Sequence, residues 1–375
     1  MTGKNLISLC LCICAFLAVL YFGLDPKGYD FSNHVSWVSD KPGIRFEKYG
    51  IAYTRLGSRT MDRIDRKKEF SIIMTLQPRQ LDNNGSGHIL TLHSGNDSNQ
   101  LVIWQYFEHI IAMNDNDYAY RRRTGRVSAP IPTSPAQEIY LSLTTGPGGT
   151  TLFFDGQVVS RNRSLRLEMP TGARTTLVLG NSVYGNGPWH GSVSGLALFD
   201  RELPPESISA LYDAFLKTRS FSGAGKEDPC ILYLFNEKEG VAVRDSMGGA
   251  AALFIPSSVF PLEKRFLTRS LDESGFTGNL AQDAFVNLVG FIPLGFFFSV
   301  VLWRHGIKRG SLYAAYTAVF CFALSITIEV LQAWIPSRSS QFLDLALNTA
   351  GGLLGALLLR KAARIDALKF LFRDN

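Results

Sequence analysis

The chain has 375 residues, 46% of them hydrophobic, and a formal net charge of +6 with a pI near 9.0. Its five cysteines supply neither a disulfide framework nor a zinc-ligand spacing. The basic balance is not a nucleic-acid signal, because the excess of Lys and Arg gathers beside apolar runs.

The first apolar run, Leu6 to Leu24, follows a head whose one cation is Lys4. That head is like a signal peptide's, but Tyr21 to Pro26 offers no small-x-small cleavage site. Residues 1–24 are therefore expected to be an uncleaved signal anchor, with cleavage as the alternative. Cys10, Cys12 and Cys14 sit inside this run at offsets of two, which scatter them around a helix, and they are read as unmodified.

Residues 25–262 form a stretch long enough to bury a core unaided, and the pattern is β. Phe70 to Leu76, Ile89 to His93, Leu101 to Phe107, Glu138 to Leu143, Leu177 to Gly180 and Ser192 to Phe199 are short β-branched and aromatic runs broken by Gly, Asn, Asp and Ser. An all-β sandwich is expected. Asp155 and Gly156, between Thr151 to Phe154 and Gln157 to Val159, suit a two-residue type I′ hairpin turn. Pro204, Pro205 and Glu206 open a helical pattern with Ile208, Leu211, Tyr212 and Phe215 on one face. Residues 263–282 read as a juxtamembrane linker.

Three further apolar runs follow, Ala284 to Trp303, Ser311 to Trp334 and Phe342 to Leu359. Roughly 20 helical residues span a hydrocarbon core of about 30 Å, so residues 283–360 are expected to cross three times, ahead of a basic tail at 361–375. Lys4, Arg304, Lys308, Arg309, Arg360, Lys361, Arg364, Lys369 and Arg373 then fall on one side, with Asp366 and Asp374 the acids there. By the positive-inside rule that side is cytoplasmic, both termini are inside, and residues 25–282 lie outside.

Ionisable residues in membrane-length runs cost a few kcal/mol, roughly 2.5 to 3.5 each on insertion scales, and usually face a bundle interior or cavity. Asp283 and Asn287 begin one span, Glu329 and Gln332 end the next, and Asp344 and Asn348 begin the last. Offsets of three or four put each pair on one helical face, with Arg338 in the short loop between. These seven are the candidate ligand-binding residues of a polar pocket near the outer leaflet. The bland alternative makes the amides interhelical glue and pairs Arg338 with Glu329 or Asp344. Gly351 and Gly355 read as a packing stripe, and Pro293 as a kink that frees a carbonyl near the cluster.

Two family resemblances follow. Phe70 to Met74, Leu152 to Val158, Gly191 to Leu203 and Ile208 to Tyr212 resemble a LamG-type, concanavalin A-like jelly roll. Leu232 to Gly240 and Asp245 to Gly249 look like the strand and turn that open such domains, although here they come last. The membrane part resembles the VanZ-like family through Asp283, Asn287, Gly290, Pro293, Gly295, Glu329, Gln332, Arg338, Asp344, Asn348, Gly351 and Gly355. That resemblance implies a cell-envelope role in the bacterial plasma membrane and a link to teicoplanin tolerance, although the long outer insertion departs from compact members.

Within the sandwich, Trp104, Tyr184 and Trp189 are candidate sugar-stacking platforms, with core packing as the competing reading. Asp155 and Asn181 are the candidates for Ca²⁺, as in some LamG domains; no other cofactor is expected. Arg121 to Arg123, after Tyr118 and Tyr120, read as a solvated strand end. No Glu-x-Asp-x-x-Glu run of the concanavalin-like hydrolases occurs, so no catalytic residue is assigned. The expectation is a non-enzymatic envelope protein whose partners are the membrane and an envelope glycan, lipid or protein. The competing class is a membrane enzyme or proton-coupled transporter using Glu329 and Asp344.

Overall fold

The computed structural model describes residues 3–79, 85–95, 100–114, 124–132, 138–170, 172, 175–248, 251–268 and 278–362. The Arg121 to Arg123 run, the middle of the linker and the tail cations Arg364, Lys369 and Arg373 lie outside them. The chain divides into two compact units, one of residues 30–263 and one joining 1–29 to 264–375.

The first unit is a sandwich of two antiparallel sheets. One sheet runs β1 (Val35–Trp37), β2 (Ile44–Phe46), β13 (Gly191–Phe199), β4 (Phe70–Pro78), β9 (Ile139–Gly146), β10 (Gly149–Phe154) and β11 (Gln157–Asn162), with β14 (Ile231–Tyr233) also on β13. The other runs β15 (Ala242–Val243), β16 (Leu253–Phe254), β3 (Ala52–Arg55), β12 (Thr176–Leu179), β5 (Ser86–His93), β6 (Gln100–Tyr106), β7 (His109–Asn114) and β8 (Arg126–Pro130). The unit begins with β1, and Asn33 ties that start down, donating to the carbonyls of Ile51 and Pro256.

The strand period of two sorts side chains between faces. Ile72, Met74 and Leu76 of β4 enter the inter-sheet core with Leu90, Leu141 and Leu177. Ile73 points the other way, with Tyr140, Phe153 and Phe199, against α3 (Pro205–Thr218) through Ile208, Leu211 and Phe215. The hairpin between β10 and β11 pairs Phe154 with Gln157 across Asp155 and Gly156, whose φ angles of 51° and 76° are the left-handed pair a type I′ turn requires. The late segment supplies β14, and the Asp245 carboxylate behind it accepts from the Leu232 and Met247 N–H groups. A short amphipathic helix, α2 (Ser58–Lys67), buries Met61 and Ile64.

His88 is 2% exposed and its Nδ1 lies 2.9 Å from Thr91 Oγ1. Burial pushes its pKa down to about 3. The folded state therefore keeps this imidazole neutral, while the unfolded chain binds a proton below about pH 6.5. Stability is complete above that pH and falls as pH drops, at up to about 1.4 kcal/mol per unit. Melting curves of wild type and His88→Gln between neutral and mildly acidic pH should show the slope flattening in the variant; parallel slopes would refute this.

The second unit holds α1 (Gly3–Leu24), α4 (Gly278–Arg304), α5 (Gly310–Gln332) and α6 (Phe342–Ala362). All four are long and apolar enough to cross a membrane, as Leu6–Leu24, Ala281–Arg304, Gly310–Gln332 and Phe342–Ala362. Cys12 of α1, Phe291 and Leu294 of α4, and Cys321, Leu324 and Ile328 of α5 form one apolar cluster. A Cβ on Gly351 would strike the Leu288 carbonyl oxygen, and one on Gly355 the Ile292 carbonyl oxygen, so these glycines let α6 lie directly on α4. Pro293 is exposed on α4, and so is Val289, whose carbonyl it deprives of a partner. That carbonyl belongs to a residue outside the lining of the cavity described next.

Candidate ligand cavity in the membrane unit

Four helix ends meet around a cavity of about 530 Å³. Its wall takes Asp283 and Asn287 from the start of α4, Glu329 and Gln332 from the end of α5, and Asp344 and Asn348 from the start of α6. Arg338 of the connecting loop completes the seven residues singled out by spacing. The i, i+3 and i, i+4 offsets do this: each helix turns two polar groups inward and leaves residues such as Phe285, Val330 and Leu353 exposed on its outer side.

The polar contacts are specific. Glu329 is 1% exposed; its Oε2 accepts from the Gln341 N–H at 2.8 Å, and the Ser340 hydroxyl also reaches the carboxylate. Asn287 hydrogen-bonds the Asp344 carboxylate. One turn deeper, Asn348 Nδ2 donates to Ser325 Oγ at 3.0 Å. Deeper still, Ser299 and Thr317 pair their hydroxyls at 2.8 Å.

Arg338 does not follow the bland alternative. Among the described residues it makes no ion pair with Glu329 or Asp344. Its Nη2 instead donates to the carbonyls of Phe22 at 2.9 Å and Gly23 at 2.7 Å. Gln332 Nε2 also donates to the Gly23 carbonyl, and Ser337 Oγ to that of Pro26. A helix end leaves its last carbonyls without partners and favours cations, and this loop caps α1 in that way. The first span is thus a wall of the cavity, adding Asp25 and Lys27 to its lining. Sequence reasoning missed this, since α1 contributes backbone carbonyls from an apolar run.

The first part of the linker is also fixed to the loop. Thr268 N donates to the Ser340 carbonyl and Phe342 N to the Thr268 carbonyl, so Thr268 and Gln341 form a short parallel bridge.

Residues 234–365 match the VanZ/LLP1 family. Over its last three spans the membrane unit is similar to that family. In this VanZ-like unit Gly290 has no atom within 4 Å of where a Cβ would project and borders the cavity, whereas a Cβ on Gly295 would meet the Gly352 carbonyl oxygen. The two glycines thus do different work, one leaving space and the other allowing helix contact. No curated protein matches the chain.

Among solved structures the chain is similar to the receptor-binding domain of botulinum neurotoxin C/D mosaic serotype, at 13% identity and TM-score 0.40, covering 51% of this chain and 47% of that one. It is also similar to a Trypanosoma rangeli sialidase, at 15% identity and TM-score 0.36, covering 48% and 29%. A third is the SAP-like pentraxin of Limulus polyphemus, at 14% identity and TM-score 0.32, covering 48% and 80%. The chain spans about half the length of the neurotoxin domains it matches.

The sandwich places the candidate sugar platforms and the candidate Ca²⁺ residues as follows. Trp104 and Trp189 are both fully buried, so neither ring face is open to a sugar. Trp189 lies in the inter-sheet core, and Trp104 packs with Val102, Ile111 and Met113 on the other face of its sheet. Tyr184 alone of the three is half-buried. Asp155 sits in the turn between β10 and β11, and Asn181 in the connection from β12 to β13. Asp155 Oδ1 accepts from the Tyr140 N–H, and Asn181 Oδ1 from those of Ser182 and Gly187.

Proposed function

We propose that this membrane protein is a cell-envelope component whose cavity binds an envelope lipid, peptide or glycopeptide-like molecule, while its sandwich binds a glycan or protein outside the membrane. The observation that carries the reading is the convergence of seven polar side chains, from three helices and a loop, on one cavity of ligand size. Interhelical glue needs no such space, and Arg338, which the bland alternative pairs with Glu329 or Asp344, hydrogen-bonds the end of α1. Tyr184 is the residue left to stack on a sugar, and Ca²⁺ at Asp155 or Asn181 stays a proposal for the sandwich. A role in teicoplanin tolerance is the narrowest form of the hypothesis.

For orientation we infer a bacterial plasma membrane with both termini cytoplasmic, a reading that the nine clustered cations support. The meeting of the end of α1, the start of α4, the end of α5 and the start of α6 supports alternating crossings. A cysteine placed by Ser220→Cys should label with an impermeant reagent in intact spheroplasts; labelling only after lysis would reverse the orientation.

The cavity reading expects Asp344→Asn and Glu329→Gln to keep the fold and membrane level while losing co-purified amphiphile by mass spectrometry. If the cluster is glue, both changes should lower stability by about 0.6 to 2 kcal/mol per contact with ligand content unchanged. The burial of Glu329 beside Asp344 favours one second reading, a proton-coupled transporter or membrane enzyme. Turnover, or dependence on a pH gradient, would select it.

A further inference from the structure

The cavity is electrically lopsided. Asp25, Asp283, Glu329 and Asp344 line it against Lys27 and Arg338, and the Arg338 Nη2 already serves two carbonyls. Carboxylates alone do not make a site, but Asn348 adds an independent demand. It is 4% exposed, lines the cavity and donates through Nδ2 to Ser325, while its buried Oδ1 accepts no hydrogen bond among the described residues. A buried acceptor left unmatched keeps its full desolvation cost.

A cation that carries N–H donors answers both demands. The apolar part of the wall, with Val19, Phe22, Phe291 and Ile328, suits a hydrocarbon chain attached to it. Resting on the cavity reading above, we propose that the site takes a primary ammonium group of an amphiphile, which passes the Glu329 and Asp344 carboxylates and donates to Asn348 Oδ1. A quaternary ammonium has the same charge and no N–H donor, so it lacks the bond to Asn348.

The test uses the full chain in phosphatidylcholine nanodiscs, with part of the lipid replaced by phosphatidylethanolamine or phosphatidylglycerol, and free ethanolamine as a separate arm. Phosphatidylethanolamine should raise the melting temperature by several degrees and phosphatidylglycerol should not, and the rise should vanish in Asn348→Leu and Asp344→Asn. A rise with ethanolamine alone would place recognition in the ammonium group, and a rise only with the lipid would add the chain; both uphold the proposal. Identical melting in phosphatidylcholine and phosphatidylethanolamine overturns it, a comparison on wild type that needs no variant to fold. Stabilisation by phosphatidylglycerol that Asp344→Asn abolishes would overturn the ammonium inference and leave the cavity reading standing. If no headgroup effect depends on a lining residue, both fall.

Discussion

Trp189→Ala should unfold much of the sandwich population and not merely weaken sugar binding. The side chain is fully buried, its ring centroid is 6.0 Å from that of Phe46, and Nε1 donates to Gln105 Oε1 at 2.9 Å. Truncating a buried Trp costs about 3–5 kcal/mol, and stranding Gln105 Oε1 adds roughly 1–3. Domains of this kind hold about 5–15 kcal/mol in all. Urea denaturation of the Asp30 to Glu263 segment should show a midpoint collapse for Trp189→Ala and little change for Tyr184→Ala. A Trp189→Ala protein with a wild-type midpoint would return this residue to the list of platforms.

Gly355→Leu should disassemble the membrane unit. A Cβ there meets the Ile292 carbonyl oxygen and the Phe296 nitrogen, both backbone atoms of α4, which no side-chain rotation can move aside. Ordinary overpacking costs about 1–3 kcal/mol. Here the helices must separate, so the contact of α4 with α6 is lost as well. Gly290→Ala is the matched control, since nothing lies within 4 Å of its Cβ position and the change removes up to about 1 kcal/mol of glycine penalty in a helix. Melting in detergent should drop sharply for Gly355→Leu and hold or rise for Gly290→Ala; equal behaviour would show that the close approach is not needed.

How much of this was legible in the residues depends on which atoms do the work. The strands from Phe70, Ile139 and Gly191, and the Asp155 and Gly156 turn, were readable because alternation and positive φ leave marks on side-chain type. The seven cavity residues were readable because polar groups at helical offsets are conspicuous in hydrocarbon. Capping of α1 was not, since its acceptors are the backbone carbonyls of Phe22 and Gly23, which look the same in every sequence. The bland alternative matched Arg338 to carboxylates on charge alone, and nothing local reveals that a helix end lies nearer. Trp104 was left between sugar platform and core for a related reason. Period two puts it on the face away from the inter-sheet core, and only the surrounding Val102, Ile111 and Met113 show that this face is closed too. The short helix Ser58–Lys67 carries two buried apolar residues amid charges, too few for a period to register.

The capping of α1 by Gln332, Ser337 and Arg338 also sets a timetable for biogenesis. Its partners are encoded roughly 300 residues downstream of Gly23. At about 5–20 residues per second, the first helix waits in the bilayer on the order of 15–60 s before the groups that cap it emerge from the ribosome. For most of that interval, until α4 is made, the nascent protein is held by one solitary helix while an entire sandwich is synthesised behind it, so the membrane unit is the last part of the chain able to close.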